Sequence, residues 1–317
     1  MFIGVDLGGT NIAVGLVDGK CKLKCQKSRP TKPERGPEPI IRNIINLIDE
    51  VIDHHGITKK EVRAVGIGIP GLADPKTGDV IQCVNLNWTH VPLRKPMEEA
   101  LGIPVFIDND ATLAGLAEYE IGSMKGKSSG VFMTIGTAIG GGIIIGGKIH
   151  TGYSGIGSEI GHMIVGENFY DCNCGNNGCL ETFASGTALI KYTKKLIEEG
   201  NKNTIIMEKI GGDIDNLNGK IIFDSAEGGD ELANKAVDRI AKYLAIGIIN
   251  VTSVIDPEVF VLGGGISKAG PILLDRVRKE VLKRRYFKTL PVGNIELAQL
   301  GNEAGIIGAA MLGRHSI

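Results

Sequence analysis

The 317-residue chain lacks an excess of charge of either sign, since 35 Lys and Arg stand against 36 Asp and Glu for a formal net charge of -1. Without a global field there is no electrostatic basis for holding nucleic acid or an anionic membrane, and a small-molecule partner is expected instead. A basic segment ahead of the first apolar stretch is also lacking. Asp6 and the glycines of MFIGVDLGGT break that stretch early, so no secretory signal is expected and the cytoplasm is the expected location. Low-complexity tracts and long linkers do not occur. The 46 glycines follow no Gly-X-Y period, which excludes a collagen-like chain, and they cluster beside apolar runs as tight turns and close backbone approaches require. Six cysteines without an export signal point to metal ligation or inert thiols and away from disulfides.

One uncharged run, Ser128 to Gly147, has the length of a membrane helix and contains G-x-x-x-G. Its glycines and β-branched residues disfavour helix, so two short buried strands around a glycine turn are expected there. The chain exceeds the roughly 100–200 residues of one domain, which predicts two α/β domains with a cleft between them. Phe2 to Asp6 and Ile12 to Val17 flank the turn Leu7-Gly8-Gly9-Thr10 as a hairpin. The pattern returns as Val131 to Ile135, a turn over 136–141, and Gly142 to Ile145. Apolar residues from Ile40 to Ile52 recur at helical spacing, followed by a strand over Val62 to Ile69. Val105-Phe106-Ile107 then reads as a strand running through Asp108-Asn109-Asp110 into a helix over Ala111 to Ile121. Later helices are expected at Gly186 to Glu199, Glu231 to Thr252 and Pro271 to Arg285, with a strand at Val259 to Leu262. The second hairpin's onset places the domain boundary near residue 112, giving a small domain over 1–112 and a large one over 113–300.

Asp6-Leu7-Gly8-Gly9-Thr10 joins a carboxylate to two glycines and a hydroxyl, a turn whose N–H groups can approach a phosphate while the carboxylate faces its metal ion. Thr137-Ala138-Ile139-Gly140-Gly141-Gly142 in the equivalent later turn favours phosphate binding over an ordinary hairpin turn. Two other glycine motifs are set aside. Gly66-Ile67-Gly68-Ile69-Pro70-Gly71 matches a dinucleotide fingerprint, but the following Leu-Ala-Asp-Pro leads into a loop where that site needs a helix. Gly122 to Ser128 has three residues, not four, between its P-loop-like glycines and follows a helix. Cys172, Cys174 and Cys179 with His162 complete a tetrahedral zinc shell, and a filled shell is structural. Cys21, Cys25 and Cys83 lack such partners and read as inert. Glu159, His162 and Glu181 are tied to that loop and suit hydrogen bonding to sugar hydroxyls, with solvated carboxylates as the alternative. Asp108-Asn109-Asp110 sits at a strand end, where one carboxylate could act as a general base, or where the triplet could simply cap a helix. Spacing does not choose between Asp108 and Asp110.

Taken together, D-L-G-G-T at 6–10, G-I-P-G at 68–71, D-N-D-A at 108–111, G-T-A-I-G-G-G at 136–142, G-S-E-I-G-H at 157–162, C-N-C-G-N-N-G-C-L-E at 172–181 and L-G-G-G at 262–265 resemble the ROK family (repressors, open reading frames, kinases), most closely its bacterial glucokinases. The resemblance runs over nearly the whole chain. It implies an actin-like ATPase-domain fold (ribonuclease H-like) whose C-terminal helix, 301–317, returns to the small domain. It also implies ATP-dependent phosphorylation of a hexose, glucose foremost, at the 6-hydroxyl, with Mg²⁺ as catalytic ion and Zn²⁺ as structural ion. Asp110 matches the catalytic base, and Asn109, Asp110, Glu159, His162 and Glu181 match sugar ligands. Nucleotide contacts are implied for Asp6, Gly8, Gly9, Thr10 and Asn11, for Thr137, Gly140 and Gly141, and for Gly264 and Gly265. His162, Cys172, Cys174 and Cys179 match the zinc ligands. A homodimer or homotetramer is implied by the same analogy. Two departures flank matched positions, Asp108 where the family more often has Glu and Ala138 where it more often has Gly. The family's repressors carry a helix-turn-helix before the first phosphate turn, for which the start at Asp6 leaves no room, so an enzyme is expected. N-acetylmannosamine, fructose and allose are alternative substrates, since discrimination rests on one or two hydroxyls. A cytoskeletal or chaperone-like ATPase is argued against by the zinc loop.

Overall fold

The computed structural model describes residues 1–74, 76–200 and 204–317. The first hairpin forms where its alternation places it, β1 (Phe2–Leu7) pairing antiparallel with β2 (Asn11–Val17), and β3 (Leu23–Pro30) extends the meander. Helix α1 (Pro37–His55) starts on Pro37 and Pro39, ends at the left-handed Gly56, and buries Ile40, Ile41, Ile44, Leu47, Ile48, Val51 and Ile52. Strand β4 (Ala64–Ile69) returns parallel to β1. The segment after Gly71, expected to be a loop, instead contributes β5 (Leu72–Ala73), which with β6 (Asp79–Cys83) and β7 (Trp88–Pro92) makes a three-stranded sheet. Pro75 lies outside the described residues. Helix α2 (Arg94–Leu101), β8 (Val105–Asn109) and α3 (Asp110–Ile121) follow, and the first five-stranded sheet has the order β3-β2-β1-β4-β8.

The uncharged run forms strands, β9 (Ser129–Ile135) and β10 (Ile139–Ile145), with the short β11 (Lys148–Ile149). Among the described residues, no helix is long and apolar enough to cross a membrane. Helices α4 (Glu181–Ala184), α5 (Gly186–Glu198), α6 (Ile205–Lys209), α7 (Gly219–Glu227) and α8 (Glu231–Ile255) lead to β12 (Val259–Gly263). Then come α9 (Gly264–Ser267), α10 (Pro271–Arg284), β13 (Asn294–Leu297) and α11 (Ala304–His315). The second five-stranded sheet has the order β11-β10-β9-β12-β13.

The chain divides into two compact units, one of Met1–Phe132, Gly142–Ser158 and Gln299–Ile317, the other of Met133–Gly141 and Glu159–Ala298. The first unit runs past residue 112 to Phe132 and also takes in α11. Within the first unit it packs on β1, β4 and α3. Gly66 and Gly308 permit that approach: a Cβ on Gly66 would stand 1.7 Å from the Ala309 carbonyl oxygen, and one on Gly308 would stand 1.8 Å from that of Leu113. Helix α3 is thereby held with the first unit.

Candidate active site

The parallel strands of the first unit bring three sequence motifs to one edge. Register places Asp6 opposite Gly68, and Gly68 opposite Asp108, so two carboxyl groups stand at the carboxyl ends of β1 and β8 with a glycine between them. Such strand ends are where open α/β sheets receive ligands. The G-x-G-x-x-G match lies mostly inside β4, which removes any dinucleotide turn. Asp6 is largely buried, its carboxylate accepts no hydrogen bond from a described residue, and burial raises its pKa. Gly305 at the start of α11 makes room for it, since a Cβ there would stand 2.7 Å from Asp6 Oδ2. The adjacent turn is closed by the Gly8 N–H donating to the Asn11 carbonyl at 2.9 Å. Fully buried Thr31 clamps it, donating its hydroxyl to Gly8 O at 2.7 Å and its N–H to Thr10 O at 2.8 Å.

Of the D-N-D triplet, expected to cap a helix if not to act as a base, Asn109 is the residue at the cap. Asn109 Oδ1 accepts from the N–H groups of Ala111 and Thr112 at 2.9 and 3.2 Å, and its Nδ2 donates to Gly71 O at 3.2 Å. Asp110 is the first helical residue and its Oδ1 accepts from the Ala111 N–H at 2.7 Å. Burial pushes the Asp108 carboxyl up to about 6, against the opposing hydrogen bond from the Asn109 N–H. Cys83 lies close enough to Asp110 for that charge to add to the burial that raises its thiol to about 11, so it stays a thiol, in keeping with the inert reading.

The second unit gathers the later glycine turn and the cysteine loop. The Gly136 N–H donates to Ala138 O at 3.0 Å, and the Gly186 N–H at the start of α5 donates to Gly136 O at 2.7 Å. Gly264, at a φ of 83°, abuts Ile135: a Cβ there would stand 2.6 Å from that carbonyl oxygen. The L-G-G-G turn therefore lies against the end of β9, which leads into the 136–141 turn. A cavity of about 110 Å³ is lined by Thr137 and Ala138 of the turn and by Cys172 and Glu181 of the loop, together with Ser185 and Lys191.

All six cysteines are free of disulfides. The ligand atoms of His162, Cys172, Cys174 and Cys179 lie within 4.8 Å of one another. The Cys174–Cys179 sulfurs are 3.5 Å apart, and His162 Nδ1 is 3.7 Å from Cys172 Sγ. Sulfur–metal bonds of about 2.3 Å in a tetrahedron place ligand atoms at such separations, so the donor set fits a zinc ion. The Asn176 N–H leads the interactions that hold Cys174 down to about 7, while burial pushes Cys172 and Cys179 up. The loop rests on Asn177, whose amide donates to Asp171 Oδ1 at 2.8 Å and to Asn168 O at 3.0 Å. Asn168 in turn donates to Thr182 O at 2.7 Å and accepts from Arg239 at 2.9 Å. Glu181 Oε1 stands 2.9 Å from Cys172 Sγ, and Glu159 Oε2 stands 3.9 Å from His162 Nε2, so both glutamates adjoin the candidate metal-ligating set.

Several contributors carry no clear sequence signal. Thr31, Gly71, Asn168 and Arg239 act through contacts with residues remote in the chain. Only Gly71 stood inside a quoted motif.

A sequence model described as "ROK family" matches residues 2–316. The chain is 38% identical over 320 residues to a glucokinase of Thermotoga maritima, covering 99% of this chain and 98% of that one. It is 35% identical over 317 residues to a glucokinase of Streptomyces coelicolor, covering 99% and 97%. The crystal structure of a ROK family glucokinase from Streptomyces griseus in complex with glucose and AMPPNP superposes with a TM-score of 0.82 at 35% identity, covering 99% of each chain.

Proposed function

The chain belongs to the ROK family and has its actin-like ATPase fold, and we propose on that premise that it transfers the γ-phosphoryl group of ATP to the 6-hydroxyl of glucose, releasing glucose 6-phosphate and ADP. The observation that carries this reading is the strand-end arrangement of the first unit. A largely buried carboxylate without a hydrogen-bond partner among the described residues, a clamped glycine turn and the D-N-D triplet share one sheet edge.

Asp110 is the base in this reading. Its carboxylate takes the proton of the 6-hydroxyl as the oxygen gains its bond to phosphorus, while most of the rate comes from positioning and electrostatics. Asn109 suits a sugar ligand, because one amide N–H is engaged by Gly71 and its oxygen by the helix start, leaving a second N–H at a fixed orientation. Glu159, Glu181 and His162 supply the remaining sugar contacts from a loop whose geometry is set by its own hydrogen bonds. The turns at 8–11 and 136–141, with Gly264 and Gly265, present backbone N–H groups to the nucleotide phosphates. Asp6 is suited to hold Mg²⁺, which supplies charge neutralisation at the phosphates when bound. His162, Cys172, Cys174 and Cys179 are suited to hold Zn²⁺, a structural crosslink without an open position. An enzyme of this kind acts in the cytosol.

The test is ADP release coupled to a reporter, measured over glucose, mannose, fructose, allose, N-acetylglucosamine and N-acetylmannosamine with ATP or polyphosphate as donor. Glucose with ATP is expected to give the highest kcat/KM. Absence of sugar-stimulated ADP release would overturn the reading.

A further inference from the structure

Away from the candidate active site, the second unit carries a groove of about 780 Å³ lined by α5, α8 and α10. Its size falls within the roughly 300–1,000 Å³ of small-molecule sites. Six cations line it, Lys235, Arg239, Lys242, Arg276, Lys279 and Lys283, against two carboxylates, Asp238 and Glu280. Both carboxylates are already engaged, Asp238 by Arg276 at 2.8 Å and Glu280 by Lys283 at 2.5 Å and by Arg284. Lys235, Arg239, Lys242 and Lys279 are left without an ion pair to any described residue. Lys235, Arg239 and Lys242 recur at helical spacing on α8, so like charges crowd one face at a cost that a bound anion would relieve.

Arg239 adds an independent observation. Its guanidinium is enclosed by aromatic rings, 4.4 Å from the centroid of Tyr192, 4.8 Å from Phe183 and 5.2 Å from Tyr243. Its Nη2 donates to Asn168, and Nη1 is buried with no acceptor among the described residues. Ring faces compensate a cation only partly, so the floor of the groove keeps a half-buried cation without a carboxylate partner among the described residues. The tyrosines at 192 and 243 add hydroxyl donors to the lining. Several ammonium groups around one guanidinium match clustered phosphate oxygens better than a single carboxylate.

We propose that this groove binds a small, multiply phosphorylated anion at a site that shares no residue with those assigned to ATP and sugar. The test titrates the full-length, zinc-loaded protein with inorganic tripolyphosphate by calorimetry, in the presence of saturating AMPPNP and glucose. One equivalent is expected to bind, with an affinity that falls as salt rises. Lys242→Ala with Lys279→Ala is expected to weaken it at least tenfold without altering melting temperature or ATP-dependent turnover. A parallel titration with glucose 1,6-bisphosphate separates an inorganic from an organic source by which of the two binds tighter. Failure of both probes to bind the wild-type protein overturns the proposal, as does binding undiminished in the double variant.

Discussion

The Asn109 side chain closes the first turn of α3 by accepting two backbone N–H groups, so the capping role is filled without Asp110. The two neighbours should therefore fail differently when altered. Asp110→Asn is expected to lower kcat by about 10²–10⁴, the usual contribution of a general base, with glucose affinity by calorimetry and melting temperature little changed. Asn109→Ala removes the cap and the bond to Gly71, and should destabilise the protein by about 0.5–2 kcal/mol while raising the KM for glucose. Retention of kcat by the Asp110 variant would remove the assignment of the base. Spacing alone could not separate Asp108, Asn109 and Asp110, because Asp and Asn are both favoured caps and each lies at the same strand end. What distinguishes Asn109 physically is that its oxygen also meets the Thr112 N–H, whereas Asp110 reaches only the Ala111 N–H, a difference of backbone geometry that no residue pattern encodes.

At the scale of elements, legibility followed local periodicity. The two hairpins and α1, α5, α8 and α10 carry their own alternation or helical spacing, and each formed close to its expected bounds. The sheet of β5, β6 and β7 was not legible, because its short strands alternate weakly and are interrupted by prolines and left-handed Asn87 and His90. The resemblance implied that a C-terminal helix returns to the small domain, but the close contact α11 makes there was hidden, since its Gly and Ala residues acquire meaning only where glycines of β1 and β4 face them. Gly66→Ala tests that contact. The added methyl cannot fit beside the Ala309 carbonyl without moving α11, so a loss of about 1–3 kcal/mol is expected in denaturant unfolding. A stability equal to wild type would mean that α11 does not rest on β4. The cysteine loop was legible from its spacing alone, although its support by Asn168 and Arg239 was not. Cys174→Ser should reduce bound zinc well below one equivalent, lower the melting temperature and raise the KM for glucose more than it lowers kcat. Full zinc occupancy in that variant would exclude Cys174 as a ligand.

Over the whole molecule, carboxyl groups pull the pH dependence of stability in opposite directions. Asp18 is held down to about 2, chiefly by Lys24, and contributes stability above the ordinary carboxyl range that is lost as pH falls toward 2. It is solvent-screened and its effect is small. Asp6 and Asp108 act the other way, because burial raises both and Asp108 reaches about 6. Between roughly pH 4 and 6 the unfolded chain has released the Asp108 proton while the folded one retains it, so stability falls as pH rises through that window, and Asp6 adds to the fall in the same direction. Above it both states are ionised, and the folded state bears the full cost of a buried carboxylate. Asp108→Asn removes the larger part of this slope. The variant should match wild type near pH 4 and exceed it by about 1–3 kcal/mol at pH 7.5, read from denaturant midpoints across the range. Parallel pH profiles for the two proteins would show that Asp108 is ionised as readily in the folded chain as in the unfolded one.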